Sequence, residues 1–500
     1  MQLILHIYLP VFKNAIKALL WYNKTMDAYR IIAKNTAWLF GGQAVGRIIR
    51  ASIIIYAARV LGAESWGALS YALSIAAFLT IFADIGINGL LVREGNRHPE
   101  LRERYLATAA LIKLILIGAM AGGTVALLPY ISVLEGSRTL IPIILLVFAF
   151  DSLRDFVLAL ARSLERMHIE GVAIVATNGA IAILGFGALT IYGTASSLAW
   201  GYALGTGIGL VIAFLPLRSY FAHIRENISL SLIRTIITSA WTFGLIGMMG
   251  AIMINTDVLM LGWMTSEYDV GIYSAAQKLT QLLYIFPALI ATAFFPQLAR
   301  LAAGSRHLFI SLFKQALRII YMLAFPLTVG GILASTSIMQ FLYGNEYLSA
   351  NTSFALLALT FIIVFPATLI VNALFALGKQ KKLLAYVSIG VFGNIIFNLL
   401  LIPRFGIEGS ALSTIITQTI INTYAWYALR ASTPFTIFGD LKKIALATLG
   451  MGAVTATLEA FGIPLLLTIA ISAFGYVLLL RLLKEPMLTD ALRLLKDRSL

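Results

Sequence analysis

Apolar residues along this chain come in long runs, separated by short connections in which lysine and arginine collect. A bilayer core of about 30 Å is crossed by roughly 20 apolar residues in a helix, so each run predicts one spanning helix. Fourteen are predicted, at approximately 36–61, 67–92, 106–128, 141–161, 171–192, 197–217, 239–262, 271–296, 316–340, 350–376, 383–402, 406–429, 443–461 and 463–483. No connection between them is long enough to fold as a separate soluble domain. The fold class expected is therefore an all-α integral membrane protein of about 14 transmembrane helices.

Composition agrees. Of 500 residues, 60% are hydrophobic and 12% charged, with a mean hydropathy of +0.90; soluble domains are about 25% charged. Cysteine is absent, which excludes disulfides and thiolate metal sites, and the five histidines form no ligand-spaced cluster. No metal and no cofactor is expected. The net charge of +15 would suggest a nucleic-acid partner in a soluble protein, but here it follows from loops that stay in the cytoplasm. With a cytoplasmic N-terminus, inner segments hold 29 Lys/Arg and outer connections 3, with 5 inside spans, out of 37. The alternation persists through every connection, and it predicts a multi-pass protein of the cell membrane with both termini cytoplasmic. Residues 1–35 read as an amphipathic N-terminal segment or as an extension before a start at Met26; the charges follow the apolar run, unlike a signal peptide.

An internal repeat organises the spans. "WGALSYALSIAAFLTIFADIGI" (66–87) aligns with "VGIYSAAQKLTQLLYIFPALIA" (270–291), placing Gly67 on Gly271 and Ser70 on Ser274; "YGTASSLA" (192–199) aligns with "FGIEGSAL" (405–412). The pairings predict two six-helix lobes related by an axis along the membrane normal, around a central cavity. The expected organisation is an N-lobe at 36–217, a cytoplasmic linker at 218–238, a C-lobe at 239–430, two extra C-terminal helices at 431–484 and a cytoplasmic tail at 485–500. Two facing lobes imply rocking between inward-open and outward-open states.

The stretch "ARVLGAESWGALSYALSIAAFLTIFADIGINGLLVRE" (58–94) resembles the first-loop signature of polysaccharide-transport proteins. "NTDVLMLGWMTSEYDVGIYSAAQKL" (255–279), followed by "FFPQLAR" (294–300), is similar to its counterpart at spans seven and eight. These are the O-antigen-flippase-like members of the multidrug/oligosaccharidyl-lipid/polysaccharide superfamily. The resemblance runs from about Lys34 to Lys484. It implies movement of a lipid-linked oligosaccharide, on polyprenyl diphosphate or dolichyl phosphate, from the cytoplasmic to the outer leaflet. The partners implied are that lipid-linked glycan, membrane lipids and glycan-assembly enzymes.

An ionisable residue at bilayer depth is costly and marks a candidate functional site. Depth matching at ~1.5 Å per residue predicts an inner pair of Asp84 with Lys113 and an outer pair of Asp257 with Lys278. Either is a locking ion pair or a device for cation coupling or gating. In "DSLRD", Asp151, Arg154 and Asp155 share one helix face; they neutralise one another or line the cavity as further coupling candidates. Arg47 and Arg50 lie ~17 and ~21 Å into span 1, with Gln43 on the same stripe and Gly42 and Gly46 beside it. They pair with Asp84, Asp151 or Asp155, or they form a cationic wall for phosphate, which the planar guanidinium binds through two parallel hydrogen bonds. Gly201, Gly205 and Gly209 read as a helix-packing face, and Pro287, Pro326 and Pro366 as kinks.

Three functions compete. A lipid-linked oligosaccharide flippase needs a basic cavity. A multidrug or organic-cation antiporter needs an acidic or aromatic one. A membrane-embedded glycosyltransferase needs a large polar loop with acidic residues, and no outer loop exceeds roughly a dozen residues. A transporter, not an enzyme, is expected.

Overall fold

A computed structural model describes residues 26–128 and 134–487. The N-terminal segment before 26 and the part of the expected tail after 487 lie outside the described residues. The helices are α1 (Met26–Asp84), α2 (Ile87–Arg97), α3 (Arg102–Leu127), α4 (Glu135–Ser163), α5 (Met167–Ile191), α6 (Ala195–Phe214), α7 (Leu230–Met264), α8 (Glu267–Leu283), α9 (Ile285–Ala303), α10 (Arg306–Leu333), α11 (Ser335–Tyr343), α12 (Ala350–Ala376), α13 (Gln380–Arg430), α14 (Lys442–Ala460) and α15 (Leu465–Leu482). No strand occurs among the described residues.

Among the described residues, ten helical stretches are long and apolar enough to cross a membrane. Two of them hold two crossings each. α1 folds back at Gly62 (φ 73°) and α13 at Gly406 (φ 56°), in a backbone region that a residue without Cβ enters freely. α4 and α14, 29 and 19 residues long, also have spanning length, and the fourteen expected crossings are complete. Chain geometry sets the other breaks. A capping box from Ser266 and Asp269 starts α8. α8 stops at Leu283, whose carbonyl would otherwise bond to position 287; Pro287 has no N–H to donate. Pro326 and Pro366 stay inside continuous helices.

The second arm of α1 crosses α8 where the repeat places its equivalent positions. A Cβ on Gly67 would overlap the Glu267 carbonyl, and one on Gly271 would overlap the Ala63 carbonyl. The two contacts exchange under the repeat offset, so a pseudo-twofold axis passes between them. Around this crossing, at the Gly62 end, the lobes are tied together. The Ala63 N–H donates to Glu346 Oε1 (2.8 Å), the Ser137 N–H to Glu267 Oε1 (3.1 Å), and the Tyr347 hydroxyl to the Ala58 carbonyl (2.9 Å). At the opposite end, which carries the basic loops, Gly86 and Gly244 meet backbone to backbone. Seventeen residues of helix between Gly67 and Asp84 correspond to ~26 Å, close to the thickness of a bilayer core.

Three cores support this frame. One runs through both lobes beneath the Gly67–Gly271 crossing and includes Trp66, Tyr273 and Tyr347. A second joins the C-lobe to α14 and α15, with Tyr476 donating to the Met322 carbonyl at 2.9 Å. A third fills the basic-loop end of the N-lobe. Gly201, Gly205 and Gly209 lie against Gly185, Ile181 and Thr177 of α5, where any Cβ would meet backbone or side chain.

Overpacking a tight contact costs about 1–3 kcal/mol. Gly67→Ala and Gly271→Ala should therefore lower the melting temperature in detergent, while Gly118→Ala and Gly475→Ala, with open space at the Cβ position, should not. Equal melting of the two sets would remove the crossing as the contact that holds the Gly62 end.

Candidate functional site

Between the two glycine crossings lies a cavity of about 590 Å³. Pockets of about 300–1,000 Å³ enclose most of a ligand of drug size. The first arm of α1 supplies Arg47 and Arg50 to its wall, and α8 supplies Lys278. The orientation of α1 follows from its glycines. A Cβ on Gly42 would stand 2.7 Å from Gly171 Cα, and one on Gly46 would stand 2.8 Å from Ile174 Cγ2, so this face seats directly on α5. Arg47 and Arg50, one turn apart, then face the cavity. Gln43, further towards the basic-loop end, is not among the lining residues; the stripe is continuous along the helix, but the cavity ends before its first member.

The charges within the helices divide into paired and unpaired groups. Lys113 Nζ lies 3.1 Å from Asp84 Oδ1, with the lysine side chain only 1% exposed. Arg154 sits between Asp151 (2.7 Å) and Asp155 (3.1 Å) on α4. Each of these three carboxylates is in direct contact with a base other than Arg47 or Arg50, although the charge of Arg50 also reaches Asp151. Neither arginine has an ion-pair partner among the described residues. Arg50 instead lies over the Tyr202 ring, 5.6 Å from its centroid, a cation–π contact.

Asp257 and Lys278 do not form the expected pair. The Asp257 carboxylate, 4% exposed, accepts from Tyr273 Oη (2.8 Å), Asn394 Nδ2 (3.0 Å), Asn398 Nδ2 (2.9 Å) and Thr414 Oγ1 (2.7 Å). Depth matching considered only opposite charge. Four neutral donors from α8 and α13 meet the same requirement, because hydrogen bonds to an ionised acceptor are worth about 1.5–3 kcal/mol each. The sequence signal was present in Asn394 and Asn398, two amides at i and i+4 in an otherwise apolar run. Lys278 is left on the cavity wall with no ion-pair partner among the described residues.

The cavity wall therefore carries three cations and one carboxylate, and the carboxylate is already saturated by donors. Such a wall can receive an anion through two guanidinium forks and an ammonium. Among the described residues, no group of three or more His, Cys, Asp or Glu is placed to hold a metal ion.

Comparison with known proteins accords with this architecture. The family model described as "Polysaccharide biosynthesis protein" matches residues 32–302. A protein described as "Probable flippase AglR" from Haloferax volcanii is 24% identical over 416 residues, covering 80% of this chain and 83% of its own length. The structure of "Lipid II flippase MurJ, inward closed conformation" superimposes with a TM-score of 0.74 at 17% identity, covering 90% of this chain and 99% of that one. An inward-facing multidrug resistance MATE family transporter of the MOP superfamily superimposes with a TM-score of 0.64 at 14% identity, covering 78% and 94%.

Breaking a buried ion pair by removing one partner costs about 3–5 kcal/mol. Asp84→Asn should accordingly destabilise the protein by about 3 kcal/mol, and Asp84→Lys combined with Lys113→Asp should recover most of the lost melting temperature. A double variant that melts no higher than the single would mean that surrounding groups, not the pair, set the requirement. Single cysteines at 47 and 50 should react with a water-soluble thiol reagent, and one at 43 should react more slowly. Protection of both 47 and 50 from each side of the membrane would exclude them from a water-filled cavity.

Proposed function

Because the chain belongs to the polysaccharide biosynthesis protein family, a polysaccharide-transport group within the superfamily of flippases and multidrug transporters, we propose that it flips a lipid-linked oligosaccharide across the membrane. The observation that carries this reading is the set of cavity cations with no direct ion pair among the described residues, Arg47, Arg50 and Lys278. An unpaired cation at bilayer depth is costly, and the phosphate or diphosphate of a polyprenyl or dolichyl carrier would supply the missing charge. Arg47 and Arg50 would grip phosphate oxygens bidentately, and Lys278 would add a point charge from the opposite lobe. Gln43 stands outside this set.

Lobes 36–217 and 239–430 would rock about the pseudo-twofold axis. The Gly62 end would face outwards and the basic loops the cytoplasm, in accord with the lysine and arginine distribution. The connection at 218–238 would join the lobes, and 431–484 would brace the C-lobe. Asp84–Lys113, internally neutral, and Asp151–Arg154–Asp155, which keeps one negative charge within reach of Arg50, would act as locks between or along helices during that motion. Asp257, joined to α8 and α13 by its four donors, would act in gating between those helices rather than as a free cation site. The partners expected are the lipid-linked glycan, the surrounding lipids and the enzymes that assemble the glycan.

An organic-cation antiporter is the second reading, motivated by the resemblance in fold to a multidrug transporter. It is disfavoured by the absence of an uncommitted carboxylate on the cavity wall.

Reconstituted transport of a lipid-linked glycan discriminates the two. Arg50→Ala should reduce flipping by at least about tenfold, equivalent to about 1.4 kcal/mol of lost charge-assisted binding. Arg50→Lys should remain impaired, because an ammonium cannot reproduce the guanidinium fork. Full activity of both Lys variants, at 47 and at 50, would remove bidentate recognition. Full activity of Arg47→Ala with Arg50→Ala would remove the phosphate site.

A further inference from the structure

Facing the arginines across the cavity, the C-lobe presents a wall of a different chemistry. Gln277 and Gln281 of α8, Asn255 of α7, and Thr417 and Gln418 of α13 all line the cavity. They are amides and a hydroxyl, uncharged and able both to donate and to accept. Two polar atoms on this wall, Gln277 Oε1 and Thr417 Oγ1, have no hydrogen-bond partner among the described residues, although their residues are only 6% and 2% exposed. On the adjoining roof, the same holds for Trp66 Nε1 and Ser70 Oγ, at 1% and 3% exposure.

A buried polar atom without a partner costs about 1–3 kcal/mol, and such atoms in a native protein call for an explanation. Phosphate supplies only part of one. An ionised phosphate oxygen only accepts, so it can take the indole and hydroxyl donors but serves Gln277 only with the amide turned to present Nε2. A sugar hydroxyl both donates and accepts. With side-chain rotations that bring these enclosed atoms to the cavity surface, it can donate to Gln277 Oε1, accept from Trp66 Nε1, and do either with Thr417 and Ser70. The level is also right. Arg50 lies twelve residues before Gly62 and Gln277 lies ten after Glu267, so at ~18 and ~15 Å from the same crossing they face each other across one layer.

We infer that this amide and hydroxyl wall of the C-lobe is a subsite for the sugar bonded directly to the phosphate, and that it takes an uncharged, hydroxyl-rich ring. The inference rests on the lipid-linked glycan reading and adds to it a division of labour. The N-lobe arginines hold the phosphate, and the C-lobe amides read the sugar. A ligand that bridges the two walls makes contacts in both lobes at once, which the lobes would have to carry together from one side to the other.

The test is equilibrium binding of radiolabelled dolichyl phosphate and dolichyl phosphate glucose to the purified full chain. Wild type should bind the glycosylated lipid at least about tenfold more tightly. Gln277→Leu and Thr417→Val should each weaken the glycosylated lipid about fivefold, the equivalent of one hydrogen bond, and leave dolichyl phosphate within about twofold. Arg50→Ala should weaken both lipids alike. Gln281→Leu, at a half-buried wall position, serves as a further variant, and each variant is compared at equal melting temperature and elution volume. Equal wild-type affinity for the two lipids, or loss of both lipids in Gln277→Leu, overturns the sugar subsite while leaving the phosphate site standing. Failure of wild type to bind either lipid, together with failure to bind polyprenyl diphosphate with or without a sugar in the same assay, overturns the flippase reading, and the subsite falls with it.

Discussion

A charge held at the depth of a hydrocarbon core must find a partner within the protein, in bound ligand or in water drawn after it. Much of the interior of this chain is arranged by where the first of these is provided. Asp84 receives Lys113, Asp151 and Asp155 receive Arg154, and Asp257 receives four neutral donors. Each arrangement ties together helices or turns that the apolar packing alone would leave free to slide. Three cations on the cavity wall receive nothing comparable, although Arg50 gains a tyrosine face. The cavity is thus defined as much by withheld partners as by withheld volume.

The second organising element is close backbone approach. Gly67 on Gly271 and Gly86 on Gly244 let the lobes meet at both ends without side chains between them. In lipid, where helix association lacks a hydrophobic drive, small residues are what permit such contacts. Both crossings join the N-lobe to the C-lobe, and the cavity occupies the interval. Motion between the lobes therefore has to break or rotate a glycine contact at one end while preserving the other.

The spans were legible because bilayer thickness imposes run length, and even the hairpins at Gly62 and Gly406 fall at the expected connections. The Gly67–Gly271 equivalence could be aligned from sequence. That the two residues touch could not, since a pairwise alignment carries no distance. Asp84 with Lys113 followed from depth, even though the expected span 67–92 breaks at Ile85 and Gly86, just past Asp84. Asp257 with Lys278 did not follow, because a carboxylate is satisfied by any sufficient set of donors and the amides of α13 lay more than a hundred residues away. The position of Gln43 failed for a different reason. Helical phase gives a face, but the extent of a cavity along that face depends on helices packed against it.

The ties at the Gly62 end have an asymmetry of kind. In three of them the C-lobe contributes side chains, the Glu346 and Glu267 carboxylates and the Tyr347 hydroxyl, and the N-lobe main-chain atoms of Ala63, Ser137 and Ala58; a fourth runs the other way, with the Arg59 guanidinium donating to the Phe341 carbonyl. Main-chain groups survive nearly every substitution except proline at a donor position. Apart from Arg59 and the close approach of Gly67, the N-lobe side of this seam is therefore buffered against mutation. Sequence drift elsewhere in the N-lobe could proceed with the seam intact, while changes at Glu267, Glu346 and Tyr347 would undo it. Variation among related chains at this seam should fall mainly on the positions whose side chains it never consults.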